Sequence, residues 1–246
     1  MKTAFIITSA IKHSSSTLEE QLVRLQQTIN TVYSIKLKVK DADIFLVDSG
    51  SEAINPEWLM LFPRDVKIIS LSDSQRIDTI NNEASTVSER LFKKYKIENR
   101  TKEDVKNFIK ISYLKSVTEH FAISVLFAKY DFSTYDLVFK ISGRYFLDED
   151  FDLSMYGKGI TLRKIGKQSM CTVVWSCSGN NFTKLKELWI NVLKNILSRY
   201  NSDTITDIEQ CMYLTYSESD IPKNYINKLG VTGIVNNPLG KNMLSL

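Results

Sequence analysis

The sequence predicts an α/β fold, a mostly parallel sheet flanked by helices. Three observations carry this. Short apolar runs rich in Ile, Leu, Val and Phe recur along the chain, segments of helical periodicity separate them, and polar clusters close the runs at their carboxyl ends. In such a sheet, ligands bind beyond the carboxyl ends of the strands.

The elements follow in order. Ala4 to Ile11 reads as the first strand, and the polar stretch Lys12 to Ser16 ends it. Thr17 and Glu20 have capping-box spacing and open a helix whose apolar stripe is Leu18, Leu22, Leu25, Ile29 and Val32, with Glu19, Arg24 and Gln27 on its other faces. Asp43 to Val47 is a second strand ending in the turn-forming Asp48, Ser49, Gly50, Ser51, and Val66 to Leu71 is a third. Residues 86 to 128 read as helical with a break near Asn99 to Lys102, and feed the strand Leu137 to Ile141. Residues 159 to 176 read as two strands joined at Gly166, 184 to 197 as an amphipathic helix and 206 to 216 as a last helix. From Gly230 onward the tail reads as loop with one short strand, VTGIV. Thr8, Ser9, Asp48 and Ser72 therefore fall on the expected ligand edge.

Composition narrows the function. With 43% hydrophobic and 11% aromatic residues, the 246-residue chain buries a real core and reads as one domain, 1–246. A net charge of +4, from 32 Lys and Arg against 28 Asp and Glu, argues against nucleic acid as partner and suits anionic small ligands. Three cysteines without metal-ligand spacing, and no recognisable export signal, read as reduced thiols in a cytoplasmic protein. No transmembrane segment is expected, since no stretch approaches the ~20 apolar residues that cross a bilayer, so a membrane association would be peripheral. No glycine-rich dinucleotide fingerprint follows the first strand, where TSAIKHSSS stands, and there is no P-loop, which disfavours dehydrogenases and methyltransferases.

The strand LVFKI ends in Ser142, Gly143 and Arg144, a flexible backbone and a fixed cation suited to gripping a diphosphate. Lys140 adds a point charge if it faces the cleft. A glycine turn carrying a solvated arginine explains the same residues. The first strand with Thr8 and Ser9, the helix RLQQTINTVYSI, the strand ending VDSGS and the later YDLVFKISGRYFL together resemble small bacterial and viral GT-A glycosyltransferases. The resemblance spans most of the chain and lies in layout and short phrases.

That resemblance implies a Rossmann-like GT-A domain, with 1–145 as the donor-nucleotide half and 146–246 as the acceptor half. It also implies transfer of a sugar from a nucleoside diphosphate sugar to a glycan or lipid-linked hydroxyl acceptor, as in surface polysaccharide synthesis. Such enzymes normally carry at the end of this strand a DxD motif that holds a divalent metal, Mn or Mg. Here the position reads Ser142, Gly143, Arg144, so the arginine stands where a metal-bound motif would supply charge. Asp148 and Asp150, a few residues on, are the remaining metal candidates, or else an acidic surface loop.

Asp48 is placed near the ribose or base, and Arg76 and Asp78, in a segment read as loop, at the donor; a simple turn and solvated charges account for them as well. An acid at the start of a late helix serves as catalytic base in the resembling enzymes, which points to Glu209 and then Asp207. Thr206 with Glu209, and Thr204 with Asp207, also have helix-capping spacing. Trp175 could stack on an acceptor sugar with Asn180 and Asn181 bonding its hydroxyls, or could pack in the core. His13 reads as a donor-site ligand or an exposed histidine, and His120 as structural. From another class, a non-catalytic nucleotide- or carbohydrate-binding module on the same scaffold is the alternative.

Overall fold

The computed structural model describes residues 1–246 apart from 13–15, 73–74, 96–100, 158, 166–167, 238–239 and 246, and describes only the backbone of 234–237 and 240–245. Its elements are β1 (Thr3–Ser9), α1 (Leu18–Lys38), β2 (Asp43–Asp48), α2 (Pro56–Leu59), β3 (Lys67–Ser70), α3 (Gln75–Phe92), α4 (Lys102–Lys129), β4 (Leu137–Ser142), β5 (Tyr145–Leu147), β6 (Ile160–Leu162), β7 (Val174–Ser178), α5 (Phe182–Asn201), α6 (Ile208–Ser217), β8 (Lys223–Tyr225), β9 (Val231–Asn237) and β10 (Gly240–Ser245). Seven strands form a sheet in the order β3-β2-β1-β4-β7-β6-β8, and β10-β9-β5 form a small second sheet. The pairings make six strands of the large sheet run one way, with β7 alone against them.

The central strands are apolar along their length because both faces are covered. Ala4, Ile6, Phe45, Val47 and Val138 enter one core with α3, α4, α5 and α6. Phe5, Ile7, Ile44, Leu46, Phe139 and Ile141 enter the other with α1 and the small sheet, where the Phe5 and Phe139 rings stack 4.6 Å apart. Thr17 and Glu20 form the expected capping box, and the break between α3 and α4 falls in the expected region.

Two expectations need correction. Helix α3 starts at Gln75, so Arg76 and Asp78 lie in its exposed first turn and not in a loop. Its buried stripe Ile77, Ile80, Ala84 and Leu91 packs onto the first core, and that burial overrides the poor helix propensity of Asn81 and Asn82. Strands β5, β8 and β10 were not expected; β5 and β8, three residues each, are too short to show a period and exist through their partners β9 and β6. The expected joint at Gly166 lies outside the described residues.

At the carboxyl edge the loops after β1 and β2 are laced together. Ile11 N–H donates to Asp48 Oδ1 (2.8 Å), Gly50 N–H to Asp48 Oδ2 (3.2 Å), Ser49 N–H to the Ser9 carbonyl (2.8 Å) and Ser51 N–H to the Lys12 carbonyl (2.9 Å). A side chain at Gly50 would collide with the Lys12 carbonyl oxygen, so only glycine lets the two loops approach. Asp48→Ala is expected to cost about 1–3 kcal/mol, because it strands the buried Ile11 and Gly50 amides. An unchanged urea midpoint would remove Asp48 from this role.

On the far side of the sheet His120 is buried in α4, stacked on Trp189 at 5.0 Å with Nε2 2.6 Å from the Trp189 carbonyl oxygen. Burial pushes its pKa down to about 4 from an ordinary 6.5. Its contribution to stability is complete above the unfolded value and is lost as pH falls toward the folded one, up to about 3 kcal/mol between pH 7 and pH 4. Denaturant titrations across that range should show His120→Gln losing less stability on acidification than the natural protein; parallel curves would rule the histidine out.

Candidate active site

Lys140 organises the carboxyl edge. It is the polar residue on the helix-covered face of β4, it is 1% exposed, and its ammonium is held by Glu119 of α4 and by the carbonyl oxygen of Thr172 just before β7 (2.5 Å). A buried ammonium needs such partners, and with both in place it is not presented to a ligand. The expectation that Lys140 adds a point charge to a diphosphate is corrected accordingly.

One turn before Glu119 on α4, Lys115 donates to Glu209 Oε1 at 3.0 Å, and Thr172 Oγ1 donates to the same oxygen at 2.9 Å. Glu209 sits in the first turn of α6, whose N-cap is Asp207, with the Gln210 N–H donating to Asp207 Oδ1 at 2.8 Å. Asp207 therefore spends an oxygen on the cap, and burial pushes its pKa up. Neither sequence-level capping pair forms: Thr206 instead bonds the side chains of Gln210 and Cys211, which leaves Glu209 free to turn inward. Burial raises the pKa of Glu209, but the Lys115 charge and the two side-chain hydrogen bonds outweigh it and hold the carboxyl below its ordinary range. Its Oε2 is enclosed with no donor among the described residues. The cluster thus offers an ionised carboxylate with one unused oxygen.

Arg144 follows, exposed on the turn from β4 to β5, with no hydrogen bond or ion pair to a described residue. Its charge reaches Lys115 on α4 and Arg24 on α1. Arg24 donates to the Ala10 carbonyl (3.0 Å), and burial together with Arg144 lowers its pKa. Arg144 thus lies within electrostatic reach of two further cations, one of them already paired to Glu209. Sequence reading missed Arg24, assigned to an outer helix face, and Lys115; the only signal was cationic type, since the fold alone brings them together.

The other expected residues separate. Thr8 and Ser142 pair across β1 and β4 at the edge, half-buried, and Ser9 Oγ lies 3.0 Å from Thr28 Oγ1. Gly143 is needed for packing against α1, where an added Cβ would stand 3.1 Å from Thr28 Oγ1 and 3.3 Å from the Thr8 carbonyl oxygen. Asp48 is fully buried with both oxygens used on backbone amides, so it braces the loops and offers no oxygen to a ribose. Arg76 and Asp78 lie beyond β3, three strand spacings or about 14 Å from β4.

The expected acceptor group comes apart because β7 runs backwards. Trp175, paired with Lys140, is fully buried 5.9 Å from Trp189 and cannot stack on a sugar. Asn180 and Asn181 follow the end of β7 at the opposite edge, where Gly179 N–H donates to the Asp136 carbonyl (3.2 Å). Asp148 and Asp150 lie beyond β5, which runs down α1 away from the edge. Asp148 accepts from Asp150 N–H (3.0 Å) and Thr232 Oγ1 (2.7 Å), and Asp150 pairs with Lys228 at 2.6 Å. A hard divalent cation needs uncommitted carboxylate oxygens, so this pair does not fit one. Among the described residues no group of three or more His, Cys, Asp or Glu converges as a metal site. His13 lies outside the described residues.

An open cavity of about 620 Å³ lies elsewhere, beside β3, lined mainly by apolar residues such as Leu59, Met60, Phe62 and Ile68. Its lining has one ionisable residue, Arg64, and none of the residues of the Arg144 and Glu209 cluster. Among the described residues no helix is long and apolar enough to cross a membrane.

No family model matches the chain, and no curated protein matches it in sequence. Among solved structures, it is similar to a protein of Desulfovibrio desulfuricans G20 assigned as a nucleotide-diphospho-sugar transferase, at 8% identity and a TM-score of 0.47 over 92% of this chain and 80% of that one. It is also similar to the glycosyltransferase GlyE of Streptococcus pneumoniae TIGR4, at 10% identity and a TM-score of 0.46, covering 92% of this chain and 45% of that one. Mouse xyloside xylosyltransferase 1 in its apo form gives 8% identity, a TM-score of 0.43 and coverage of 92% and 85%. At these values the likenesses stand as likenesses, and no residue role is taken from them.

Proposed function

We propose that this protein is a glycosyltransferase that moves a sugar from a nucleoside diphosphate sugar to a hydroxyl of a glycan or lipid-linked acceptor, as surface polysaccharide synthesis requires. One observation carries the reading: Arg144, without an ion pair among the described residues, lies within electrostatic reach of Lys115, which pairs with Glu209, a carboxylate with one unused oxygen. Residues 1–145 supply the donor half and 146–246 the acceptor half, and the protein works in the cytoplasm, peripheral to a membrane when the acceptor is lipid-linked.

In this mechanism Glu209 Oε2 takes the proton of the acceptor hydroxyl as its oxygen attacks the anomeric carbon. The bond from that carbon to the diphosphate breaks, and its electron pair leaves on the phosphate oxygen. Arg144 meets the growing negative charge through a bidentate fork, with Arg24 and Lys115 deepening the positive potential around it. The reading uses Arg144 in place of metal-borne charge. The Lys115 to Glu209 ion pair favours a second reading, a binding module without turnover, since a base already paired is a weaker one.

Calorimetry with UDP, GDP, CMP and dTDP sugars, with manganese and with a chelator, tests the donor site. Binding of at least one that survives chelation is expected, with Arg144→Ala weakening it at least about tenfold. Binding to none would refute the proposal. Glu209→Gln should keep binding while turnover falls by about two to four orders of magnitude; donor binding without turnover in the natural protein would instead favour the module.

A pH profile of turnover probes the lysine. The active form is the carboxylate, so the acid limb should lie below the ordinary glutamate value of 4.5. Lys115→Met removes the lysine's charge and hydrogen bond while burial stays, and the limb should move up. An acid limb that stays in place would separate the lysine from the base.

A further inference from the structure

Arg163 is a second cation at the same edge that the donor chemistry does not use. It directly follows β6, which runs parallel to β4, so it lies at the carboxyl end two strand spacings away, about 10 Å. Its carbonyl accepts from Cys171 N–H at 2.8 Å, and the neighbouring bridge Lys164 to Met170 sets it directly opposite Cys171. Opposed residues of an antiparallel pair share a face, so its side chain lies on the side of Cys171, in the core that also holds Tyr145 and Tyr156. The residue is part-buried, its Nη1 is enclosed with no acceptor, and among the described residues no carboxylate pairs with it.

An enclosed guanidinium donor without a partner is costly, and native structures retain few such groups. Lys164, which alternates to the opposite face of the strand, lies over the ring of Tyr225 at 4.5 Å and leaves Arg163 without company from that ring. A part-buried guanidinium with an enclosed, unused donor at the carboxyl end of a strand suits a ligand that carries an oxyanion.

We propose that Arg163 forms an anion-binding subsite for the acceptor, and that the acceptor carries a carboxylate or phosphate group. This rests on the glycosyltransferase reading only in treating that ligand as the acceptor; the anion site stands apart from it. Arg163 supplies recognition, and takes no part in bond making.

Calorimetry on the full chain uses methyl β-glucuronide, glucose 6-phosphate, the neutral methyl β-glucoside, and UDP as the donor-side reference. The natural protein is expected to bind at least one anionic sugar about tenfold or more tightly than the neutral one, and the better of the two identifies the oxyanion. Arg163→Met should abolish that preference, leave UDP affinity unchanged and keep or raise Tm, since it removes an unpaired enclosed charge. Arg163→Lys, which keeps the charge without the fork, should retain part of the preference. No preference in the natural protein, a preference intact in Arg163→Met, or a lowered Tm with binding unchanged would each overturn the subsite. Anion preference in a protein that binds none of the UDP, GDP, CMP and dTDP sugars would instead sustain the subsite and overturn the donor reading.

Discussion

The carboxyl edge depends on the burial of one ammonium group. Lys140 stands on the central strand β4 where its neighbours on that face are apolar, and a charge there is tolerable only if it is fully coordinated. The two groups that meet this demand come from different parts of the chain, Glu119 from the middle of α4 and the Thr172 carbonyl from the approach to β7. Satisfying one lysine therefore fixes α4 against the sheet and the start of the reversed strand against β4. Lys115 and Glu209 inherit their places from these contacts, one turn along α4 and one hydroxyl beyond Thr172.

The division of labour among charges follows from burial. The deeply buried charges Lys140 and Asp48, and the part-buried Glu119, are all spent on internal partners and shape the edge. Groups left with unused capacity, Arg144, Oε2 of Glu209 and Nη1 of Arg163, are distributed along one rim of the sheet. Unused polar capacity at a water-poor position is costly to maintain. Other enclosed polar atoms without partners, Thr3 Oγ1 at the start of β1 among them, lie away from this rim; what marks the rim is that the two charged residues of this kind, Glu209 and Arg163, stand at the edge where parallel sheets bind ligands.

The reversal of β7 has a consequence that strand counting alone does not supply. Had β7 run with the others, the segment after it would have emerged on the ligand rim with Asn180 and Asn181. Because it runs against them, the segment before it, Cys171 to Val173, reaches the rim instead, bringing Thr172 to Glu209 and Cys171 opposite Arg163. The start of β7, the end of β6 and the first turn of α6 thereby meet at that rim.

By itself the sequence determined the layered α/β architecture, the four parallel strands β1 to β4 and the capping box at Thr17. Apolar runs, helical stripes and capping spacing are local signals that survive without knowledge of partners. It also made Glu209 a candidate without separating it from Asp207, because both sit within one capping distance of a threonine. Only the tertiary structure decided that Asp207 caps α6 while Glu209 turns inward, that Lys140, Asp48 and Trp175 are interior, and that Arg24, Lys115 and Arg163 belong to the rim. The physical reason is the same in each case. Whether a charged or aromatic side chain is structural or presented depends on strand direction and on partners tens of residues distant, and neither leaves a periodic trace in the chain.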